Sequence, residues 1–443
     1  PMPSPRPLNL VIKGKPRHLD PLDPNPAVMR RLEDRVIYFP YVSLAFSAVV
    51  QAALEAIGLE ARVLPKPDDE TEYLGRQVTS GRECHPFIVT CGNFVKMTRQ
   101  PWFDPDRTAV LMQNYDGACR FSQYGIGHAD LFRRMGLSQI PVMAPLTSSR
   151  FDEFSGLFGL RFTKSLWQGW VASEVLERLR LHVRPYERNP GETDRVYEAG
   201  IRDIARAVAQ PDGRRWGRPV LVALKRQLKA LEGVSVDRSQ ERPAIGIVGE
   251  FYTVLNTWAN HDLIRILERL GAEVKIHGLT VVNCYTLFSD HYYVRNRLRD
   301  RKLISALYYL MRNQWVRFWT NRMEGCLGEE LRPFGVLDVP TILKECEAFI
   351  HHDIDPVLAT FTTRVRRFAA QGICGICNLF VLNCMLGNVM VPIFKNALRG
   401  YEHLPVLNAA HDGQKETNML TRIEAFMHQA RLYEERYPGG KVN

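Results

Sequence analysis

Three cysteines of this chain stand where a thiol has chemistry available to it. Cys84 precedes a helical stretch opening near Pro86. Cys119 lies in "DGACRFSQYG", between the apolar run "TAVLMQ" (108–113) and a helical period over 121–136. Cys384 lies between an apolar run over 375–382 and a helical period over 388–399. The start of a helix puts a side chain beside unpaired N–H groups whose partial positive charge favours a thiolate, so these positions predict lowered thiol pKa values. In an open parallel sheet the strand-to-helix joints also line the crevice outside the carboxyl ends of the strands, where ligands bind. Two thiols from the N-terminal part and one from the C-terminal part can converge only where two such units meet.

The other cysteines read differently. Cys91 falls inside a helical period, and Cys284, Cys326 and Cys346 sit in apolar or helical contexts, where a free cysteine behaves as a small hydrophobe. Cys374 and Cys377 form a C-x-x-C, a pattern that alone suggests zinc or a redox pair. On a strand, positions i and i+3 point to opposite faces, and no second C-x-x-C completes a zinc site. Cys377 stays open as an additional ligand. Nine cysteines, an odd number in a long chain, do not form a disulfide framework, so a reducing cytoplasm is the expected location.

The elements that must position these thiols follow from periodicity. "VIYF" (36–39), "ARVL" (61–64), "TAVLMQ" and "IPVMAPL" (140–146) read as strands; helical periods over 43–58, around "TEYLGRQ", from Pro86 and over 121–136 alternate with them. This alternation predicts a parallel sheet covered on both faces. Residues from about 150 to 240 are helical throughout. A second unit opens with "AIGIVGEFY" (244–252), a polar loop "TVLNTWAN", a helix over 261–271 and the strand "EVKIHG". Helical stretches over 290–325 and 339–371 follow, then strands "GICNLFVLN" and "LPVLNAA" and a final helix "MLTRIEAFMHQARLYEERY". The expected fold class is α/β, with two flavodoxin-like or Rossmann-like parallel-sheet domains and a helical connector. The expected organisation is an irregular lead over 1–35, a first α/β domain over 36–150, the connector over 151–240, and a second α/β domain with a helical insertion over 241–443.

Composition narrows the class of function. At 443 residues several domains are expected, and 45% hydrophobic with 24% charged residues is ordinary for a globular protein. The net charge of +10 comes from basic residues mixed with acids, as in "RRLEDR", without a dense basic run, so nucleic acid is not an expected partner. The uncharged segment Ala369–Phe394 is long enough to span a bilayer, but three asparagines, three glycines and a proline make it a strand, a turn and a buried helix. No membrane association is expected. The opening "PMPSPRPLNLVIKGKP" has no apolar leader core and is read as irregular.

Five segments in order, "SGRECHPFIVTCGNFVK", "DGACRFSQYG", "IGIVGEFYTVLNTWAN", "CNLFVLNCMLGNVMVP" and "DGQKETNMLTRIEAFMHQA", resemble the 2-hydroxyacyl-CoA dehydratase and benzoyl-CoA reductase superfamily. The resemblance is strongest to the cluster-binding portion of large CoA-enzyme activase-type proteins, and more distant to double-cubane cluster proteins. It implies an iron–sulfur cluster held between α/β domains by Cys84, Cys119 and Cys384. It further implies low-potential electrons from a separate ATP-hydrolysing iron–sulfur activator, used in an anaerobic reduction or dehydration of a CoA thioester or another small molecule. The activator would be another polypeptide, because no phosphate-binding G-x-x-x-x-G-K-[ST] motif is present. An electron relay or scaffold without its own substrate is the alternative, and a homodimer or heteromer is expected. Two departures from the family pattern are Cys84-His85-Pro86-Phe87 in place of C-x-x-C and Cys384-Met385-Leu386-Gly387 in place of Cys-Met-Pro-Gly; the first leaves one fewer ligand for a double cluster and so favours a single 4Fe–4S cluster over a double cubane.

Around such a centre, Arg120 could offset charge or grip a carbonyl or phosphate, against a simple helix-start arginine. Tyr124 and His128 could donate protons, against packing or capping roles. His85 could tune a neighbouring thiolate. Glu250 follows a strand directly and should reach the second crevice, against a structural hydrogen bond. Asp412 and Gln414 hold the equivalent place after the last strand, where Asp-Gly also suits a turn.

Overall fold

A short helix, α1 (Pro26–Leu32), leads into β1 (Val36–Phe39), whose four residues are all buried, as a strand covered on both faces requires. The structure is a computed structural model describing residues 26–115, 119–145, 151–210, 217–276, 294–296, 298–352, 354–381, 384–401, 403–411 and 418–438. The Ser43 hydroxyl caps α2 (Leu44–Glu55) by accepting from Phe46 N at 3.1 Å, and β2 (Ala61–Val63) follows. Asp68 and Thr71 close a capping box on α3 (Asp69–Val78). Pro86 occupies the first turn of α4 (His85–Thr98), where a missing N–H loses no helical bond. Then come β3 (Thr108–Leu111), a 3-10 turn at Arg120–Gln123, α5 (Tyr124–Arg134) and β4 (Val142–Met143). The four strands form one parallel sheet in the order β2-β1-β3-β4.

The connector consists of α6 (Phe151–Val183), interrupted at Gly159, α7 (Glu192–Ala209) and α8 (Arg218–Glu232). The second unit contains β5 (Ala244–Gly249), α9 (Phe251–Leu255), α10 (Leu263–Arg269), β6 (Glu273–Ile276) and α11 (Leu303–Glu324). It continues with α12 (Val339–Cys346), α13 (Pro356–Ala370), β7 (Gly375–Val381), α14 (Met385–Ala397), β8 (Val406–His411) and α15 (Met419–Arg436). Its parallel sheet runs β6-β5-β7-β8, the strand order of the first sheet repeated. The two parallel sheets expected from the alternating pattern are both present. In each, the order reverses between the first and third strands of the unit, which opens a crevice at their carboxyl ends.

One apolar core joins a face of the first sheet to α2 and the connector through Val49, Trp167, Trp170 and Leu224. A second covers the opposite face with Phe94 of α4 and Phe132 of α5. A third fills the second unit and continues across the junction, since Cys84 and Tyr124 of the first unit belong to it. Charged pairs fix the connector to the second unit: Arg184 grips the Glu268 carboxylate at 2.7–3.0 Å, and His182 Nδ1 and Tyr186 OH lie 2.7 and 2.9 Å from the two oxygens of Glu273. With the ammonium of Lys275 also against it, the Glu273 carboxyl is held down at about 2 despite its burial.

Some boundaries differ from the periodicity. The strand expected over 140–146 contracts to Val142–Met143, and the polar loop expected after Tyr252 lies partly in α9. The helix expected over 388–399 begins at Met385, which makes Cys384 its cap residue. Among the described residues no helix is long and apolar enough to cross a membrane. Cys284, Asp412 and Gln414 lie outside the described residues.

Candidate functional site: a thiol-lined cavity between two sheets

The crevices of the two sheets face one another. The cavity they enclose, about 200 Å³, is lined by Phe39 and Leu111 at the ends of β1 and β3, and by Glu250 and Val381 at the ends of β5 and β7. Cys84, Cys119 and Cys384 all line it, together with Arg120 and Tyr124. Each thiol stands at a helix start. Cys84 is the cap residue of α4, Cys119 of the 3-10 turn and Cys384 of α14; Phe121 N donates to Cys119 Sγ at 3.5 Å and Gly387 N to Cys384 Sγ at 3.3 Å. Cys119 follows β3 and Cys384 follows β7, so the two sheets supply them from corresponding places. Glycine at 249, with φ of 142°, lets β5 turn sharply into Glu250, because a Cβ there would run into the Leu379 carbonyl oxygen.

The expectation of lowered thiol pKa values is overturned. Burial dominates, pushing Cys119 and Cys384 up to about 12 and raising Cys84 as well; the N–H donors offset only part of this. The thiols also act on one another: Cys384 and Cys84 raise Cys119, Cys84 raises Cys384, and the Glu250 charge raises all three. Three soft donors gathered in an apolar cavity oppose their own ionisation unless positive charge joins them.

Tyr124 is buried with its OH 2.8 Å from Cys84 Sγ, and Phe87 and Phe121 meet its ring edge-on at 5.0 Å. Burial, then the neighbouring thiol, raise its pKa well above the usual phenol value, so it stays protonated and is able to donate to Cys84 Sγ whenever that sulfur is ionised. Arg120 lines the cavity with its Nη1 donating to the Arg82 carbonyl at 2.6 Å. Glu250 caps α9: its oxygens accept from Tyr252 N at 2.9 Å, Thr253 N at 2.8 Å and Thr253 Oγ1 at 2.7 Å. Burial raises its pKa in spite of these bonds.

Two candidates are not brought to the cavity. His128 is fully buried, stacked on Phe87 at 5.0 Å with Nε2 3.0 Å from Thr90 Oγ1, and burial depresses its pKa to about 3. A neutral imidazole packed in this way is a core residue and not a proton donor to the cavity. His85 turns toward Glu72, 3.6 Å away, and stacks near Trp258. Cys377 also stays away, in the middle of β7 with Ile247 and Leu407 as its strand neighbours. Cys91 is buried within α4.

Residues that the sequence reading passed over join the two units here. Tyr115, which lines the cavity, donates its hydroxyl to Asp355 Oδ2 at 2.8 Å. Asn256 Nδ2 donates to the Tyr41 carbonyl at 3.3 Å while its Oδ1 accepts from Trp258 N and Ala259 N. An asparagine flanked by turn residues and a tyrosine just past a strand end were the available signals.

The fold and site together define a doubly wound α/β protein with a cysteine-lined cavity between two parallel sheets. In comparison with known proteins, the chain matches no family model and no curated protein.

Proposed function

We propose that this protein is an iron–sulfur redox component that receives low-potential electrons from a separate ATP-hydrolysing activator and delivers them to a small molecule, a CoA thioester being the class implied by the sequence resemblance. One observation carries the proposal: Cys84, Cys119 and Cys384, separated by 35 to 300 positions in the chain, line one cavity at the switch points of two sheets.

The donor set fits a 4Fe–4S cluster. Thiolates are its usual ligands, and backbone N–H groups and a phenol already point at the sulfurs, as they do where protein donors tune a cluster. Cationic iron would also offset the burial that chiefly holds the three thiols protonated, and the smaller repulsion among them. A cluster held by three thiolates supplies electron transfer and one iron open to a further ligand. The remaining work belongs to the chain. Cys84, Cys119 and Cys384 would hold the group, Tyr124, Phe121 N and Gly387 N would draw negative charge away from sulfur, and Phe39, Leu111, Val381 and Leu386 would give it apolar walls.

The second reading, an electron relay without its own substrate, is favoured by the engagement of the acid–base groups. Glu250 is occupied as a cap, Tyr124 bonds to Cys84, and His128 faces the core. Anaerobic reconstitution with iron and sulfide tests the proposal. The wild type should take up about four irons per chain. Cys84→Ser, Cys119→Ser and Cys384→Ser should each lose iron or change the electron paramagnetic resonance spectrum; full iron and an unchanged spectrum in all three would end it. A substrate-induced change in that spectrum separates the enzyme from the relay.

A further inference from the structure

Outside the cavity, one group of side chains has the composition and spacing of a metal site. Helix α12 ends at Cys346; Glu347 is its cap residue, His351 lies four residues further on beyond the helix, and His352 follows directly. The two oxygens of Glu347 approach different rings: Oε2 lies 2.8 Å from His352 Nδ1, and Oε1 lies 3.7 Å from His351 Nε2. The rings are stacked side by side, centroids 4.5 Å apart and 21° from parallel. One ligand atom from each residue falls within 4.8 Å of the other two.

We propose that Glu347, His351 and His352 form a second metal site, for a single divalent transition ion of the zinc, cobalt or nickel class, independent of the cysteine cavity. Zinc takes imidazole nitrogen and carboxylate oxygen at about 2.0–2.2 Å in a tetrahedron, which sets ligand atoms about 3.4 Å apart. The observed separations bracket that value, so partly exposed side chains reach it by small rotations. Two imidazoles and one carboxylate select borderline ions; magnesium and calcium prefer all-oxygen sites. Three protein ligands leave a fourth position to solvent. The ion would tie the end of α12 to the segment that leads into α13. That segment carries Asp355, which caps α13 and accepts from Tyr115 at the cavity wall. The second site would therefore brace one side of the first.

Cobalt titration of the full chain, followed by absorbance, separates this site from the thiols, because thiolate ligation adds an intense sulfur-to-metal band and N/O ligation does not. The expected result is one cobalt per chain with weak visible bands only, retained in a Cys84→Ser/Cys119→Ser/Cys384→Ser variant. His351→Ala and His352→Ala should each weaken binding by more than about 100-fold, beyond the roughly 10–100-fold that an outer-sphere residue costs, with circular dichroism unchanged. Three results would overturn the proposal: no saturable binding below millimolar cobalt, a wild-type spectrum showing sulfur ligation alone, or histidine variants that bind as tightly as wild type. The wild-type spectrum decides the matter even where the triple variant does not fold.

Discussion

In the first sheet β1 ends in Phe39 and is followed by Pro40, whereas in the second β5 ends in Gly249 and is followed by Glu250. Beyond the third strand of each unit the two agree again, with Cys119 in one and Cys384 in the other, each a cap residue. The first unit adds Cys84, which has no thiol counterpart lining the cavity from the second; there the carboxylate of Glu250 takes part in the wall. Shared topology fixes where ligands can be held, and the residues at the strand tips decide what each side contributes.

The two units are also braced differently, and this sets the largest expected effect. The connector meets the first sheet through an apolar core; it meets the second unit through that core's extension to Val316 and Trp319 of α11 and, in addition, through Arg184 and Glu268, whose side chains are only 2% and 7% exposed. Arg184→Ala leaves the buried Glu268 carboxylate with only the more distant Arg265, 3.9 Å away, and should lower the stability of the second unit by about 3 kcal/mol. The Arg184→Met/Glu268→Leu pair should recover most of that loss. Urea unfolding followed by tryptophan fluorescence measures both; a single variant within about 0.5 kcal/mol of wild type would remove the distinction.

Acid should sharpen it next. His128 in the first unit is held neutral, its pKa depressed to about 3, so below the unfolded value of about 6.5 the unfolded chain binds a proton that the folded chain refuses. Stability falls with pH in that window, by about 2 kcal/mol between pH 6.5 and 5. Glu273, at the connector's contact with the second unit, has its pKa lowered to about 2; its contribution is present above the unfolded value of about 4.5 and is lost as pH falls toward 2. The first unit should therefore soften at milder acidity, and His128→Asn should flatten the upper part of the urea-midpoint-versus-pH curve.

The smallest effect concerns Glu250. Because its oxygens satisfy the first N–H groups of α9, Glu250→Ala should cost about 1 kcal/mol while Glu250→Gln costs less, measured by thermal unfolding. Loss of reconstituted iron in the glutamine variant without a stability change would instead give the carboxylate a direct part at the cavity.

Much of this arrangement was legible in the chain. Apolar runs such as "VIYF" and "GICNLFV", each followed by a helical period, mark buried parallel strands, and the thiols after β3 and β7 fall at their tips. That the two crevices face one another was expected from the placement of the thiols and from the resemblance, but the side chains that join the units, such as Asn256, Tyr115 and Asp355, were not legible, because their partners lie 215 to 240 positions away. The direction of the thiol shift was missed because a helix start is visible in sequence and enclosure by a second unit is not. His128 lies four residues after Tyr124 and one helical turn would align them, yet Phe87 and Phe94 hold its ring in the first unit's interior.

The repeated strand order builds the cavity wall from both units. A rotation that parted Phe39 and Leu111 from Val381 and Leu386 would draw Cys384 away from Cys84 and Cys119 in the same movement that admitted solvent. On the proposed function, gathering the three sulfurs and opening to the surroundings would be opposite settings of this one interface, and whatever docked across the seam between the units would act on both.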